Sequence, residues 1–385
     1  MSPDPKAPPD KLRVLIWYWG RKGAGPLYTF ELLRAFAAHP GLEVTATLAY
    51  DNEMLAETHA LGLPEYIVKT YQSLPQFALA TLRLPWLRRE FGNFLKRGRF
   101  DIVMSPMSHL WTPFMADLAA KNGAAYIAAL HDAEPHPGEN QPLWSWRRKR
   151  EIAQTDHIIA LSESVAAKLA ASGIARQSIS VIPFGVPAME DIPPLPRQFP
   201  HGRKFLFMFF GRIMAYKGLD RLLAAYAILR SRRDDIELAI VGAGDLSPYK
   251  KQIGALPDMT VVNRWIGEEE IPSFLNQADA LALPYIEASQ SGVTSIAYAA
   301  GLPVAATPVG GLAEQVIDGE TGALARDASP QAIAEAMAKL CRPAFYERCA
   351  QGAMEYRQTW SFAAQAGLYA NLFAEVKAKQ RVIAS

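Results

Sequence analysis

The sequence predicts an α/β protein of two domains, each built on a parallel sheet. Three observations predict it. The chain has 385 residues, too many for one ordinary core. Nearly continuous apolar runs alternate with helix-period segments in two separate series. Between the series lies PAMEDIPPLPRQFPHGRK (187–204), rich in proline and polar residues, which reads as an interdomain linker with 191–204 at its centre. The expected organisation is a disordered lead-in at 1–10, a first domain at 11–190, a second at 205–360 and a terminal helix at 361–385.

The lead-in MSPDPKAPPDK is polar and has no hydrophobic signal segment. The first strand is KLRVLIWYW (11–19), the kind of run buried in a parallel sheet. It ends in GRKGAG (20–25), before a helix expected from about Leu27. Further strands follow at 42–50, 100–107, 124–130, 157–162 and 179–186, with helices expected near 112–122, 144–154 and 164–172. The second series has strands at 205–211, 236–242, 259–265, 280–285 and 302–307. Its helices fall at 218–231, 268–277, 291–300 and 329–341. WSFAAQAGLYANLFAEVKAK closes the chain as an amphipathic helix. Both series are Rossmann-like, and ligands of such sheets bind beyond the carboxyl ends of the strands, here in a cleft between the halves.

Composition narrows the function. Half the residues are hydrophobic and a fifth charged, with a net charge of +2, a globular profile that predicts no nucleic-acid partner. Two cysteines, Cys341 and Cys349, suit a reducing compartment and cannot complete a zinc shell. No apolar run reaches the roughly 18 residues of a membrane span.

The strongest local signal is FFGRIMAYKGLDRLLAAYAILR (209–230). Arg212 and Lys217 precede a helix, and two cations beside a helix start suit a diphosphate; a solvated basic loop is the plainer reading. Gly242 in IVGAGDL ends a strand and permits close ligand approach, or merely a tight turn. Trp265 and Ile266 end the 259–265 strand and either flank a planar base or, for Ile266, pack the core. In PYIEASQSGV (284–293), Ser289, Gln290, Ser291, Gly292 and Val293 open a helix whose first amides form an anion cradle. Glu287 just outside would repel a diphosphate, so it reads as a sugar-hydroxyl contact or as a helix-start carboxylate.

GRIMAYKG, VGAG, LALPYIEASQSGV and AYAAGLPVAATPVGGLAEQVIDGETGAL, in that order across 211–324, resemble the second half of the family-four retaining GT-B glycosyltransferases. GRKGAG and LHDAEPHPGE match the first half more loosely. The resemblance implies a GT-B fold whose terminal helix crosses back to the first domain. It implies a nucleotide-sugar donor on the second domain, an acceptor on the first, and no metal or other cofactor. Arg212 and Lys217 would take the diphosphate, Gly242 would lie near the nucleotide, and Trp265 and Ile266 would meet the base. The loop carrying Gly23 and Gly25 would close over the donor. His131 would touch the transferred sugar, or else serve as a structural residue at a strand end. His136 and Glu139 fall in the same segment. The two-glutamate motif of many members is altered: its positions fall on Ala288 and Ile296, with Glu287 one place early and Ser295 eight residues beyond it.

The implied activity is retaining hexosyl transfer to a lipid-linked or polysaccharide acceptor in cell-envelope or exopolysaccharide synthesis. A nucleotide-sugar isomerase or a non-transferring binding protein is the alternative. The stretches 82–100 and 144–150, cationic with interleaved aromatics, form either a solvated face or a contact with an anionic membrane surface. The latter would place the protein in the cytoplasm, peripheral on the inner membrane face.

Overall fold

A computed structural model describes residues 11–134, 144–189 and 195–384. The lead-in, His136 and Glu139, and residues 190–194 lie outside the described residues.

The first domain contains β1 (Leu12–Tyr18), α1 (Ala24–Ala37), β2 (Leu42–Ala49), α2 (Leu55–Ala60), β3 (Glu65–Val68), α3 (Leu74–Leu82) and α4 (Leu84–Gly98). It continues with β4 (Ile102–Ser105), α5 (Asp117–Lys121), β5 (Ala125–Leu130), α6 (Trp144–Ile152), β6 (His157–Ala160), α7 (Glu163–Ala171) and β7 (Ile179–Val181). Its seven strands are all parallel, in the order β3-β2-β1-β4-β5-β6-β7. Successive residues of β1 feed opposite cores, as the two-residue period of a strand requires. Val14, Ile16 and Tyr18 pack under α1, while Leu15 and Trp17 pack under α4 and α7.

The second domain comprises β8 (Phe205–Phe210), α8 (Leu219–Arg230), β9 (Ile236–Val241), α9 (Lys250–Ala255), β10 (Met259–Val262), α10 (Ile271–Gln277), β11 (Ala280–Leu283) and α11 (Gly292–Ala299). Then come β12 (Val304–Ala306), α12 (Leu312–Gln315), β13 (Gly322–Leu324), α13 (Pro330–Leu340) and α14 (Pro343–Thr359). Its six parallel strands run β10-β9-β8-β11-β12-β13. In each sheet the order reverses once, between β1 and β4 and between β8 and β11. These are the crevices where such sheets bind ligands.

The last helix, α15 (Phe362–Ala384), returns to the first domain. Phe362, Tyr369 and Phe373 join its core, and the Tyr369 hydroxyl lies 3.0 Å from that of Tyr28. The two chain crossings run side by side. The Val186 amide donates to Trp360 O at 2.8 Å, and the Gln365 side chain donates to Pro183 O at 3.0 Å. Gly185 must be glycine here, because a Cβ would lie 2.7 Å from the Phe362 ring.

The structure corrects several expectations. β3 and β13, and the helices α2, α3, α4, α9, α12 and α14, are additional elements. The strand expected at 259–265 is shorter, since β10 stops at Val262, so Trp265 and Ile266 lie in the loop beyond it rather than at its end. The 112–122 helix divides into a 3-10 turn, Thr112–Phe114, and α5. Residues 84–98 do form a helix, because Pro85 occupies the first turn, where its missing N–H costs nothing. No helix among the described residues is long and apolar enough to cross a membrane.

Candidate functional site

The loops after β8, β9 and β11 converge at the second crevice, and glycines permit it. Gly211 (φ 106°) donates its amide to Val241 O at 2.9 Å. Gly242 (φ 142°) lies so close beneath that a Cβ would come 2.1 Å from Gly211 O. Gly218 (φ 66°) abuts Pro284 O in the same way, and the Ile286 amide donates to Tyr216 O at 2.7 Å. The segment holding Arg212 and Lys217 is thereby fixed against PYIEASQSGV. Gly242 serves first as the packing contact that brings these loops together.

Lys217 is 8% exposed. Its Nζ lies 5.2 Å from the Tyr285 ring centroid, a cation–π contact. A Cβ built on Gly211 would meet Lys217 Nζ at 3.1 Å and Val293 Cγ2 at 3.5 Å, so the ammonium stands beside the first turn of α11. Burial, then repulsion from exposed Arg212, pulls its pKa down to about 8. No carboxylate offsets that charge among the described residues. A buried cation held next to helix amides is complementary to an anion.

The cradle differs from its expected form. Ser291 caps α11, but its amide donates to Gln315 Oε1 at 2.7 Å and its carbonyl accepts from Gln315 Nε2 at 3.2 Å. Ser289 O accepts from Ser162 Oγ of the first domain at 2.7 Å. Both serines are buried, and Gly292 and Val293 open the first turn of α11. A Cβ at Gly292 would meet only Phe184 Cζ, at 4.0 Å, so space beside this turn is open. Gln290 Oε1 is buried without a hydrogen-bond partner. Glu287 sits half-buried on the same loop. Ile296 and Ser295, where the motif's second glutamate would fall, both turn inward: Ile296 joins the core and Ser295 Oγ contacts Phe184 O at 3.4 Å. Ile266 is core as well, whereas Trp265 is 51% exposed.

Across the cleft, Gly23 (φ 89°) caps α1, which starts three residues before its expected position. Its amide donates to Glu53 Oε1 at 2.8 Å, Asn52 Nδ2 donates to Gly20 O at 3.1 Å, and Arg21 pairs with Asp51. The GRKGAG loop is thus tethered to the segment after β2 rather than loose. Gly25 is required by packing, since a Cβ would lie 2.1 Å from the Tyr18 hydroxyl. Glu268 of the second domain has its pKa pushed up to about 7 by burial and then by Glu53, so the two loops face one another.

His131 ends β5. Its Nε2 lies 2.9 Å from Pro106 O, and a carbonyl only accepts, so Nε2 carries the proton and Nδ1 remains an acceptor. Burial lowers its pKa below the usual histidine value, against Asp132 and the Pro106 carbonyl. The ring stands edge-on to Tyr28 at 5.2 Å. It borders a cavity of about 190 Å³ lined also by Met107, Ser108, Ala129, Asp132, Glu134, Trp144, Arg147, Arg148 and Glu151. Among the described residues no group of three or more His, Cys, Asp or Glu is placed to share a metal ion.

Family comparison decides the class. The model described as Glycosyl transferases group 1 matches residues 204–342, and that of Glycosyltransferase Family 4 matches residues 27–189. The chain belongs to the group 1, family four glycosyltransferases. A D-inositol 3-phosphate glycosyltransferase of Arthrobacter sp. is 31% identical over 252 residues, 59% of either chain. The Streptomyces coelicolor protein of that name is 29% identical over 404 residues, covering 92% of this chain and 87% of its own. The chain spans about three-fifths of the length of the first curated relatives. Anabaena HepE in complex with UDP superposes with a TM-score of 0.70 at 16% identity, covering 94% of this chain and all of that one. Sucrose-phosphate synthase of Thermosynechococcus elongatus gives 0.71 at 18%, covering 96% and 100%. The chain therefore has the GT-B fold: two Rossmann-like domains facing a cleft. Sequence reasoning on this glycosyltransferase missed Gln315, Ser162 and Glu53. The only signal for Gln315 was its place in the quoted GGLAEQVIDG stretch.

Proposed function

We propose that this glycosyltransferase moves a hexosyl group, with retention, from a nucleoside-diphosphate sugar to a glycan or lipid-linked acceptor. The observation that carries it is Lys217, a buried ammonium with no carboxylate partner among the described residues, set beside the first turn of α11. Arg212, Lys217 and the amides of Gly292 and Val293 hold the diphosphate and stabilise it as it leaves. Trp265 offers a face to the base, and Glu287 accepts from sugar hydroxyls. Neutral His131 accepts from the transferred sugar through Nδ1. The donor C1–O bond breaks, the acceptor oxygen bonds to C1 from the same face, and the departing diphosphate takes the acceptor's proton. This route needs no carboxylate pair of the glycosidase kind and no metal.

The exposed side chains of Leu79, Leu82 and Trp86, with Arg83 and Arg89 beside them, supply a surface for docking at the inner membrane face, where lipid-linked acceptors are found.

Calorimetric titration with UDP-, GDP- and ADP-sugars tests the donor reading. At least one binds, and nucleoside diphosphate is released only when acceptor is present. The reading fails if none binds, or if Arg212→Ala with Lys217→Ala leaves turnover intact.

A further inference from the structure

The pairing of β9 with β10 continues past the end of β10. The strands run in register to Val241 and Val262, and the Gly242 amide still donates to Val262 O at 2.9 Å. β10 stops there, and the next residue continues the ladder with its side chain. Asn263 Oδ1 accepts from the Gly244 amide at 3.2 Å, and Asn263 Nδ2 donates to Gly244 O at 3.1 Å. A carboxamide offers the donor and the acceptor of a peptide unit, so this side chain stands in for one more strand residue.

The loop that carries Arg212 lies on the other side of Gly244. Ile213 and Gly244 form a parallel bridge, and the Ile213 amide donates to Ala243 O at 2.8 Å. The fit is close, since a Cβ on Gly244 would lie 2.5 Å from both Cβ and O of Ile213. Arg212 thus sits between Gly211 and Ile213, each bonded to the 241–244 segment. Three plies lie side by side: 211–213, then 241–244, then Asn263. The middle ply is gripped from outside by one carboxamide, and Arg212 rides on the inner ply.

We infer that Asn263 is a positioning residue for Arg212, setting the place of its guanidinium through Gly244 and Ile213. This rests on the transfer reading, which gives Arg212 the donor's diphosphate. Groups that bind a reacting part must be held to within about 0.5 Å, and a shift of about 1 Å costs on the order of 10²-fold. Two hydrogen bonds from Asn263 therefore reach the diphosphate without touching it.

Calorimetric titration with UDP, GDP, ADP and inorganic pyrophosphate tests this on the wild type, Arg212→Ala, Asn263→Ala and the double variant. Wild type is expected to bind at least one of these probes, and Asn263→Ala to bind that probe at least tenfold more weakly. With Arg212 already replaced, the same substitution costs less than threefold, because no guanidinium remains to be placed. A residue that only steadied the fold would weaken binding by the same factor in either background, since independent effects add. Asn263 is exposed, so its variants are expected to melt as cooperatively as wild type. Asn263→Ser, whose hydroxyl is too short to span both Gly244 groups, is the second variant and gives the same pattern. An Asn263→Ala protein that binds like wild type overturns the inference, as does a loss equally large with and without Arg212. Wild type that binds none of the probes sinks the transfer reading and the inference with it. Probe binding that is indifferent to Asn263 sinks only the positioning role.

Discussion

At the scale of single residues, Lys217 combines a cost to the fold with a use in binding. Its folded pKa of about 8 lies below the ordinary 10.5. Between those values the unfolded chain binds the extra proton, so stability rises with pH across that window. Lys217→Met is therefore expected to raise the melting temperature at pH 7, with the gain shrinking as pH climbs past about 8. The same substitution weakens donor binding by about 2 kcal/mol or more, roughly thirtyfold. Calorimetry and thermal melts on one protein check both signs. Gln315→Leu behaves oppositely. It strands the buried amide of Ser291, worth about 1–3 kcal/mol, while the carbonyl keeps the Thr294 amide at 3.2 Å; stability and donor affinity are expected to fall together. Arg212 and Lys217 were legible in the sequence because both lie within one short loop. Gln315 was not, because its partner is 24 residues away and only the tertiary fold joins them.

At the scale of elements, strands were legible where they sat in longer apolar runs: β7 and β12 have only three residues each yet were expected, whereas β3 and β13 lie in polar surroundings that carry no such run. The stretch 82–100 illustrates a different limit. Its composition showed cations among aromatics, but not which side of the helix each would take. In the structure Leu87, Phe91 and Leu95 face the core, and Arg88 is bound to Asp117 and Phe114 O. The second cationic stretch divides likewise: Arg147 and Arg148 turn into the cavity, so 144–150 is not one uniform outer face. The proposed membrane docking therefore rests on α3 and the start of α4. Leu79→Ser, Leu82→Ser and Trp86→Ser together are expected to abolish sedimentation with anionic vesicles while leaving nucleotide-sugar affinity unchanged. The membrane proposal falls if the triple variant sediments like wild type.

At the scale of the whole molecule, the domains meet through a few polar contacts aimed at the cradle. Ser162 holds Ser289 O. Glu314 of α12 takes the amides of Glu163 and Ser164 at the start of α7, at 2.7 Å each, where a helix favours a carboxylate. Glu314→Ala with Ser162→Ala should increase the radius of gyration in small-angle scattering and reduce donor affinity several-fold. An unchanged radius would show that the paired crossings alone set the domain angle. The two-domain plan was legible from the alternation and the proline-rich linker, but the contact between domains was not, since no local pattern marks it. That contact has a thermodynamic corollary. The serine carbonyl gripped by the first domain belongs to the loop that would cup the donor phosphates, so grip and occupancy are two loads on one lever. By linkage, whatever factor domain closure adds to donor affinity, the bound donor must return to closure. Nucleotide release and domain opening would then be coupled through one shared free energy.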